Sequence, residues 1–199
     1  MSKQFRRKVP STAHELKIVL VRHGEAGGED GPLGPPLTPL GRRQAQRVAR
    51  RLSTETFAHI YISDLARAHL TAAPIVKEHP GTQQTVTKVL REIEKHMILA
   101  GAIPGGRASR QETRRRRTEL VAFARRLVNR HKRDDQVLVV AHGNVIRFLV
   151  PTLAGVNPKL AVFFETNNAS VNEVIIQDGR FYRLHRTNDT HHLLQNQVT

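Results

Sequence analysis

The most constraining feature of the sequence is a pair of short apolar runs that both end in His-Gly. Residues 18–21 are followed by Arg22-His23-Gly24, and residues 136–141 are followed by His142-Gly143. Both runs are apolar, rich in β-branched residues and too short for a typical helix, so each predicts a strand buried on both faces. Ligands of open α/β sheets bind at the carboxyl ends of strands, so two such ends indicate a paired-histidine site.

The remaining patterns alternate between helix and strand. Thr38 before Pro39 is typical of a helix start, and apolar residues recur at helical spacing as far as Leu52. Asp178-Gly179 predicts a hairpin that pairs 181–186 with the preceding strand. Further strands are predicted at 58–62, 84–90, 160–165 and 169–176, and further helices from Ser63 or Asp64 to about 79, at 112–131 and at 144–153. This order predicts an α/β fold, a three-layer αβα sandwich with a mostly parallel central sheet.

A chain of 199 residues indicates one domain. We expect a basic N-terminal tail at 1–15, the domain at 16–186 with a loop or flap at about 92–117, and a flexible C-terminal tail at 187–199. The sequence has no cysteine, which excludes disulfide and thiolate chemistry. The first fifteen residues lack the apolar segment of a secretory signal, and no apolar run approaches the ~20 residues that span a bilayer, so we expect a cytoplasmic protein.

The residue types at the predicted strand ends favour phosphoryl transfer. His23 and His142 are possible nucleophiles, since a neutral imidazole can attack phosphorus. Arg22 and Arg67 supply planar, permanently charged donors that match phosphate oxygens. The sequence lacks a serine nucleophile elbow and a Walker-type glycine loop, and its acidic residues are not clustered for a metal, so neither a metal nor another cofactor is expected.

The reaction also needs an acid that protonates the leaving oxygen. Glu92 follows the predicted third strand and is the first candidate by position, with Glu25 and Glu94 as alternatives. A carboxyl group that faces a phosphate dianion has a raised pKa, which favours the protonated form that an acid requires.

These residues lie in motifs that resemble the histidine phosphatase superfamily, also called the phosphoglycerate mutase-like fold. The motifs, in chain order, are Arg22-His23-Gly24-Glu25, Leu37-Thr38-Pro39-Leu40-Gly41, Ser63-Asp64-Leu65-Ala66-Arg67-Ala68, Leu90-Arg91-Glu92-Ile93 and Ala141-His142-Gly143-Asn144. The resemblance covers roughly residues 17–186. It implies that His23 becomes a phosphohistidine, that Arg22, Arg67, His142 and Gly143 hold the phosphate, and that Glu92 is the proton donor.

The sequence departs from the mutases of this superfamily. It lacks their Glu-Arg-x-Tyr-Gly motif and their longer insertion, and Glu94-Lys95-His96-Met97 stands where Gly-x-x-Glu-Gly usually follows the phosphatase-type Leu-Arg-Glu-Ile. We therefore expect a phosphatase that hydrolyses phosphate monoesters of a small metabolite or a phosphoprotein. A phosphomutase is the alternative.

The net charge of +15 is the most unusual bulk property. Residues 107–133 contain eleven lysines or arginines and two glutamates, a block that could attract a polyanion or a phosphorylated substrate or form a solvated helix face. A third hypothesis is therefore a basic protein with residual catalysis that binds nucleic acid or an acidic partner. We expect a phosphorylated substrate rather than nucleic acid as the partner and no membrane. The oligomeric state stays open, with a homodimer as one option.

Overall fold

The computed structural model describes residues 14–94, 110–131, 134–179 and 181–199. The predicted basic tail at 1–13 and residues 95–109 of the predicted flap lie outside these ranges. Six strands of one sheet and four helices make up the described fold: β1 Glu15–Arg22, α1 Pro39–Leu52, β2 His59–Ser63, α2 Ala66–Glu78, β3 Gln83–Thr87, α3 Arg110–Arg130, β4 Gln136–Ala141, α4 Gly143–Leu153, β5 Val171–Gln177 and β6 Phe181–Asp189.

The sheet confirms the predicted fold class. Its strand order is β3-β2-β4-β1-β5-β6, in which the first four strands are parallel and β5 and β6 are antiparallel to their neighbours. Two apolar clusters lie on opposite faces of the sheet, one with side chains from α3 and α4 and the other with side chains from α1 and α2. The predicted three-layer αβα sandwich is therefore confirmed.

The two central strands are buried on both faces because their alternate side chains enter different clusters. Ile18 and Leu20 of β1 pack towards α3 and α4, whereas Val19 and Val21 pack towards α1 and α2. The β4 strand repeats this alternation. Such strands read as continuous apolar runs, which is why the sequence revealed them.

The predicted cap of α2 and the predicted end of the third strand differ from the observed ones. The helix α2 has Leu65 as its N-cap and no side-chain cap, so the prediction of a Ser63 or Asp64 cap is wrong. The Ser63 hydroxyl contacts His142 instead, and Arg91 engages the Asp64 carboxylate. The third strand, predicted at 84–90, ends at Thr87 in the structure. The Thr87 hydroxyl accepts the Val89 N–H and starts a 3-10 turn.

The predicted strand at 160–165 is also wrong. Residues Pro158–Phe163 form a 3-10 helix that Asn157 caps by accepting the Lys159 N–H at 3.0 Å. The Arg147 guanidinium then donates to the carbonyl oxygens of Ala161 and Val162 at 3.2 and 3.1 Å. Capping and this side-chain contact outweigh the β-propensity of a short apolar run.

The C-terminal segment differs from the expected flexible tail because it is packed against the domain. Residues 187–189 extend β6, and Asp189 forms a 2.6 Å ion pair with Arg51 of α1. Further along, the Gln197 carbonyl accepts a hydrogen bond from the Gln44 side chain at 2.7 Å. None of the described helices is long and apolar enough to cross a membrane.

A close backbone approach next to β1 allows a direct test of the packing. A Cβ atom at Gly41, in the first turn of α1, would collide with the Glu25 carbonyl oxygen. Gly41→Ala should therefore lower the free energy of unfolding by about 1–3 kcal/mol, although alanine normally favours helix by about 1 kcal/mol. Urea denaturation measures the change. Gln46→Ala, at an exposed α1 position, is the control and should stay within about 0.5 kcal/mol of the parent. A Gly41→Ala protein as stable as the parent would contradict the close approach.

Candidate active site

The parallel pairing of β1 with β4 brings the two predicted histidines together. Arg22 lies opposite Ala141 in the register, and the His23 N–H donates to the Ala141 carbonyl at 3.0 Å. The residue that follows each strand is a histidine, so the rings of His23 and His142 meet with centroids 5.0 Å apart. Both residues are buried.

The loop after β1 is held by a close contact between glycines. A Cβ atom at Gly24 would lie 2.5 Å from the Gly41 carbonyl oxygen, so only glycine permits this approach. The Gly24 N–H donates to the Thr71 hydroxyl at 2.9 Å, and Gln44 accepts the Glu25 N–H at 2.7 Å. The beginnings of α1 and α2 therefore position the backbone next to His23.

Hydrogen bonds assign the tautomer of His23. Its Nδ1 lies 2.7 Å from the Gly24 carbonyl oxygen, which can only accept, so Nδ1 carries the proton. The lone pair is then on Nε2, which accepts a hydrogen bond from the Arg67 Nε–H at 3.1 Å. His23 therefore directs an unprotonated, nucleophilic nitrogen towards Arg67.

His142 is held from the next strand of the sheet. Its Nε2 atom lies 2.8 Å from the hydroxyl oxygen of Ser63, the last residue of β2. Its Nδ1 atom is buried without a hydrogen-bond partner among the described residues. A buried polar nitrogen of this kind is available to a ligand atom that enters beside His23.

The Arg22 guanidinium has one nitrogen engaged by the protein and one without a partner among the described residues. Its Nη1 donates to the Thr166 carbonyl oxygen at 2.5 Å, whereas its Nε is buried without a partner among the described residues. Gly143 lies directly beside this guanidinium, since a Cβ atom there would be 3.4 Å from the Arg22 Nε. Each predicted phosphate-binding residue therefore lies at the carboxyl ends of β1, β2 and β4 or in the first turn of the helix that follows.

Electrostatics keep both imidazoles neutral. Burial, followed by the positive charges of Arg67 and Arg22, lowers the pKa of His23 to about 3. Burial also lowers the pKa of His142 to about 2, with His23 and the same arginines adding to the effect. A neutral His23 is the nucleophilic form, and the guanidinium groups supply the positive charge.

Glu92 lies beside the start of α4. Its carboxylate oxygens accept the Ile93 N–H at 3.0 Å and the Asn144 N–H at 3.5 Å. Burial raises the pKa of this carboxyl, although the N–H groups and Arg22 oppose the rise. The residue proposed from the sequence as the acid therefore lies within electrostatic range of Arg22 and Arg67 and is biased towards its protonated form.

Two other arginines near the site are engaged in structural contacts. Arg91 forms a two-pronged ion pair with Asp64, at 2.8 and 2.7 Å. Arg147 donates to carbonyl oxygens of the 3-10 helix at 158–163. Both guanidinium groups therefore make contacts within the protein.

Sequence reasoning missed four supporting residues: Gln44, Ser63 in its contact with His142, Thr71 and Thr166. Each forms a hydrogen bond with a site residue that lies 19 to 144 positions away in the sequence, through a side chain or a backbone carbonyl. The available signal was that Ser63 lies inside a recognised motif and that Gln44 and Thr71 each lie three residues after one, whereas Thr166 lies far from all of them. Within the described residues, no group of three or more histidine, aspartate or glutamate side chains could hold a metal ion.

The arrangement suits transfer of a small, doubly charged group. Arg67 donates to the Nε2 of His23, and the His142 ring lies 5.0 Å from the His23 ring. The charges of Arg22 and Glu92 act within the same cluster. Phosphoryl transfer needs positioning and charge stabilisation of this kind, with an acid on the side of the leaving group.

Known proteins are similar to this chain in sequence and in fold. The family model for the histidine phosphatase superfamily (branch 1) matches residues 18–97 and 99–190. The chain is 32% identical over 206 residues to phosphoglycerate mutase-like protein 4 of Arabidopsis thaliana, covering 89% of this chain and 86% of that protein. It is 28% identical over 199 residues to the mitochondrial serine/threonine-protein phosphatase PGAM5 of Mus musculus, covering 96% and 68%. A mycobacterial glucosyl-3-phosphoglycerate phosphatase superposes with a TM-score of 0.71 at 23% identity, covering 88% and 100%.

The lowered pKa values of His23 and His142 predict how the free energy of unfolding depends on pH. In phosphate-free buffer the folded protein should keep both imidazoles neutral at pH 5, because their pKa values lie near 3 and 2. The unfolded chain takes up these protons near pH 6.5, so it binds more protons than the folded chain below that pH. The free energy of unfolding should therefore fall as pH drops from about 6.5 towards 3, by up to about 1.4 kcal/mol per pH unit for each imidazole.

Histidine NMR titrations measure the protonation directly, with the urea-unfolded protein as the control. A His23 or His142 ring that protonates between about pH 6 and 7 in the folded protein would refute the electrostatic assignment.

Proposed function

The chain belongs to the histidine phosphatase superfamily, and we propose that it is a metal-independent phosphatase that hydrolyses phosphate monoesters through a phosphohistidine on His23. The observation that carries the proposal is the hydrogen bond from His23 Nδ1 to the Gly24 carbonyl. It leaves the Nε2 lone pair facing Arg67, in surroundings where burial keeps the ring neutral. A neutral, oriented imidazole among fixed positive charges is an activated nucleophile for phosphorus.

In the first step the substrate phosphate binds between Arg22, Arg67 and His142. The phosphate oxygens draw the Arg67 guanidinium from His23 Nε2, which frees its lone pair. Nε2 then attacks phosphorus, the bond from phosphorus to the ester oxygen breaks, and its electron pair goes to the leaving oxygen. Glu92 donates its proton to that oxygen, so an alcohol departs and a phosphohistidine remains.

In the second step water attacks the phosphorus of the phosphohistidine. The Glu92 carboxylate produced by the first step accepts a proton from this water. The bond between phosphorus and Nε2 breaks, its electron pair returns to the imidazole, and inorganic phosphate is released. Glu92 is again protonated, so the cycle needs no external cofactor.

The substrate class proposed is a monoester of a small phosphometabolite or of a phosphoprotein. Each class occurs in the name of a similar protein. A glucosyl-3-phosphoglycerate phosphatase is named for a small phosphometabolite, and a serine/threonine-protein phosphatase is named for a phosphoprotein. Phosphate release across sugar phosphates, nucleotides and phosphopeptides would separate the two classes.

A phosphomutase is the second candidate, favoured by the 32% identity to a phosphoglycerate mutase-like protein. A mutase would return the phosphoryl group to a second hydroxyl of the substrate and would need a bisphosphate primer. Isomerised product without net phosphate release, dependent on a primer, would decide for the mutase.

His23→Ala should abolish phosphate release from every monoester that the parent hydrolyses, because the proposed intermediate forms on the Nε2 atom of this residue. The parent protein, quenched during turnover with labelled substrate, should carry phosphate that is labile in acid and stable in base. His191→Ala, at an exposed histidine of the C-terminal segment, is the matched control and should retain activity. Activity that persists in His23→Ala would end the proposed mechanism.

Glu92→Gln tests the proton donor without a change of side-chain volume. We expect kcat/KM for an alkyl phosphate to fall by about 10²–10⁴-fold, since the alkoxide leaves poorly without a proton. Hydrolysis of 4-nitrophenyl phosphate, whose leaving group needs no proton, should fall far less. Glu94→Gln is the comparison that distinguishes Glu92 from Glu94 as the acid. If Glu94→Gln lowers kcat/KM for the alkyl phosphate in this way and Glu92→Gln does not, Glu94 is the proton donor.

A further inference from the structure

The four consecutive arginines Arg114–Arg117 take no part in the proposed reaction, and two neighbours among them differ sharply in environment. The Arg115 side chain is 65% exposed and forms a 3.4 Å pair with Glu119. The Arg116 side chain is only 13% exposed. A buried guanidinium inside an arginine run indicates a specific contact rather than a general affinity for anions.

The Arg116 contacts are with the backbone that leads into Glu92. Its Nη2 donates to the carbonyl oxygens of Val89 and Arg91, at 3.2 and 3.0 Å. Its Nη1 forms a 2.7 Å pair with Glu119 of the same helix, which orients the guanidinium. Both carbonyls lie around the end of the 3-10 turn at 88–90, where backbone oxygens lack partners within the turn.

The same segment is held from two other directions. The Arg91 side chain is paired with Asp64, which follows β2. The Asn144 side chain of α4 donates to the Ile93 carbonyl at 2.8 Å. The backbone before and after Glu92 is therefore connected to β2, α3 and α4, and Arg116 supplies the α3 connection.

We propose that Arg116 is a positioning residue for the proton donor Glu92. Its guanidinium fixes the two carbonyls that precede the donor and thereby sets the distance between the carboxyl and the leaving oxygen. The inference rests on the proposed function and assigns one arginine of the basic block to the chemistry of the site. The geometry favours a guanidinium, because Nη2 donates to both carbonyls while Nη1 pairs with Glu119, and a compact ammonium group does not hold two donor nitrogens in this planar arrangement.

A displaced acid has a distinctive kinetic effect. Proton transfer requires the donor within about 3 Å of the leaving oxygen, so a small displacement impairs reactions that need the proton. A leaving group that departs as a stable anion is unaffected. A structural role alone would instead reduce both reactions together.

The experiment compares Arg116→Gln and Arg116→Lys with Arg115→Gln, a change at the exposed neighbour on the same helix. The probes are 2-glycerol phosphate, an alkyl monoester, and 4-nitrophenyl phosphate, an aryl monoester. The measured quantity is the ratio of kcat/KM for the alkyl probe to that for the aryl probe, which reports the step that forms the phosphohistidine. We expect both Arg116 variants to lower this ratio by about tenfold or more, and Arg115→Gln to keep the parent ratio.

An unchanged ratio in the folded Arg116 variants, or an equal loss for both probes, would overturn the proposal. Circular dichroism and thermal unfolding establish which variants are folded. If Arg116→Gln does not fold, Arg116→Lys, which keeps the charge and the aliphatic stem, decides the question by the same criterion. If Arg116→Lys also fails to fold, the residue serves overall stability and the proposal is overturned.

The two proposals fail separately. If the proposed function is wrong, His23→Ala keeps full activity, whatever the kcat/KM ratio in the Arg116 variants. Loss of the Arg116 role alone would show as an inactive His23→Ala together with parent-like ratios.

Discussion

The parallel pairing of β1 with β4 is the interaction on which the candidate active site depends. The two strands bring Arg22 opposite Ala141, so the histidine that follows each strand meets the other at a ring distance of 5.0 Å. The pairing continues one step beyond β1, because the His23 N–H donates to the Ala141 carbonyl. Since both strands are buried on both faces, core packing holds the imidazoles in place, and the site inherits its rigidity from the sheet.

Burial shifts the pKa values of the imidazoles and the carboxyl in the directions that the proposed chemistry needs. It lowers the pKa of His23 and His142 because it penalises a positive ring, and it raises the pKa of Glu92 because it penalises a negative carboxylate. One cause therefore favours a neutral nucleophile and a protonated acid at the same pH. The arginines do not lose their charge in this way, so Arg22 and Arg67 remain charged, and the charge of Arg67 contributes to lowering the pKa of Arg22.

The sequence was sufficient for features written in consecutive residues. The apolar runs before His23 and His142 predicted the central strands, and the superfamily motifs indicated which side chains would meet. It was insufficient where a distant partner decides the structure. Ser63 has the chemistry of a helix cap, yet its hydroxyl is used by a histidine 79 residues away. Likewise, nothing in a run of four arginines distinguishes Arg116, whose role depends on carbonyl oxygens 25 and 27 residues earlier.

The packed C-terminal segment has a consequence for how the protein is made. Gln44 accepts the N–H of Glu25, two residues after His23, and donates to the carbonyl of Gln197, 153 residues later in the chain. On the other side, Asn168 donates its N–H to the Thr199 carbonyl at 2.7 Å, next to Ala169, which donates to the His23 carbonyl. The ribosome therefore synthesises the residues that brace the loop after β1 long after the loop itself. The nascent chain must hold β1 and α1 without that brace until residues 197–199 have emerged.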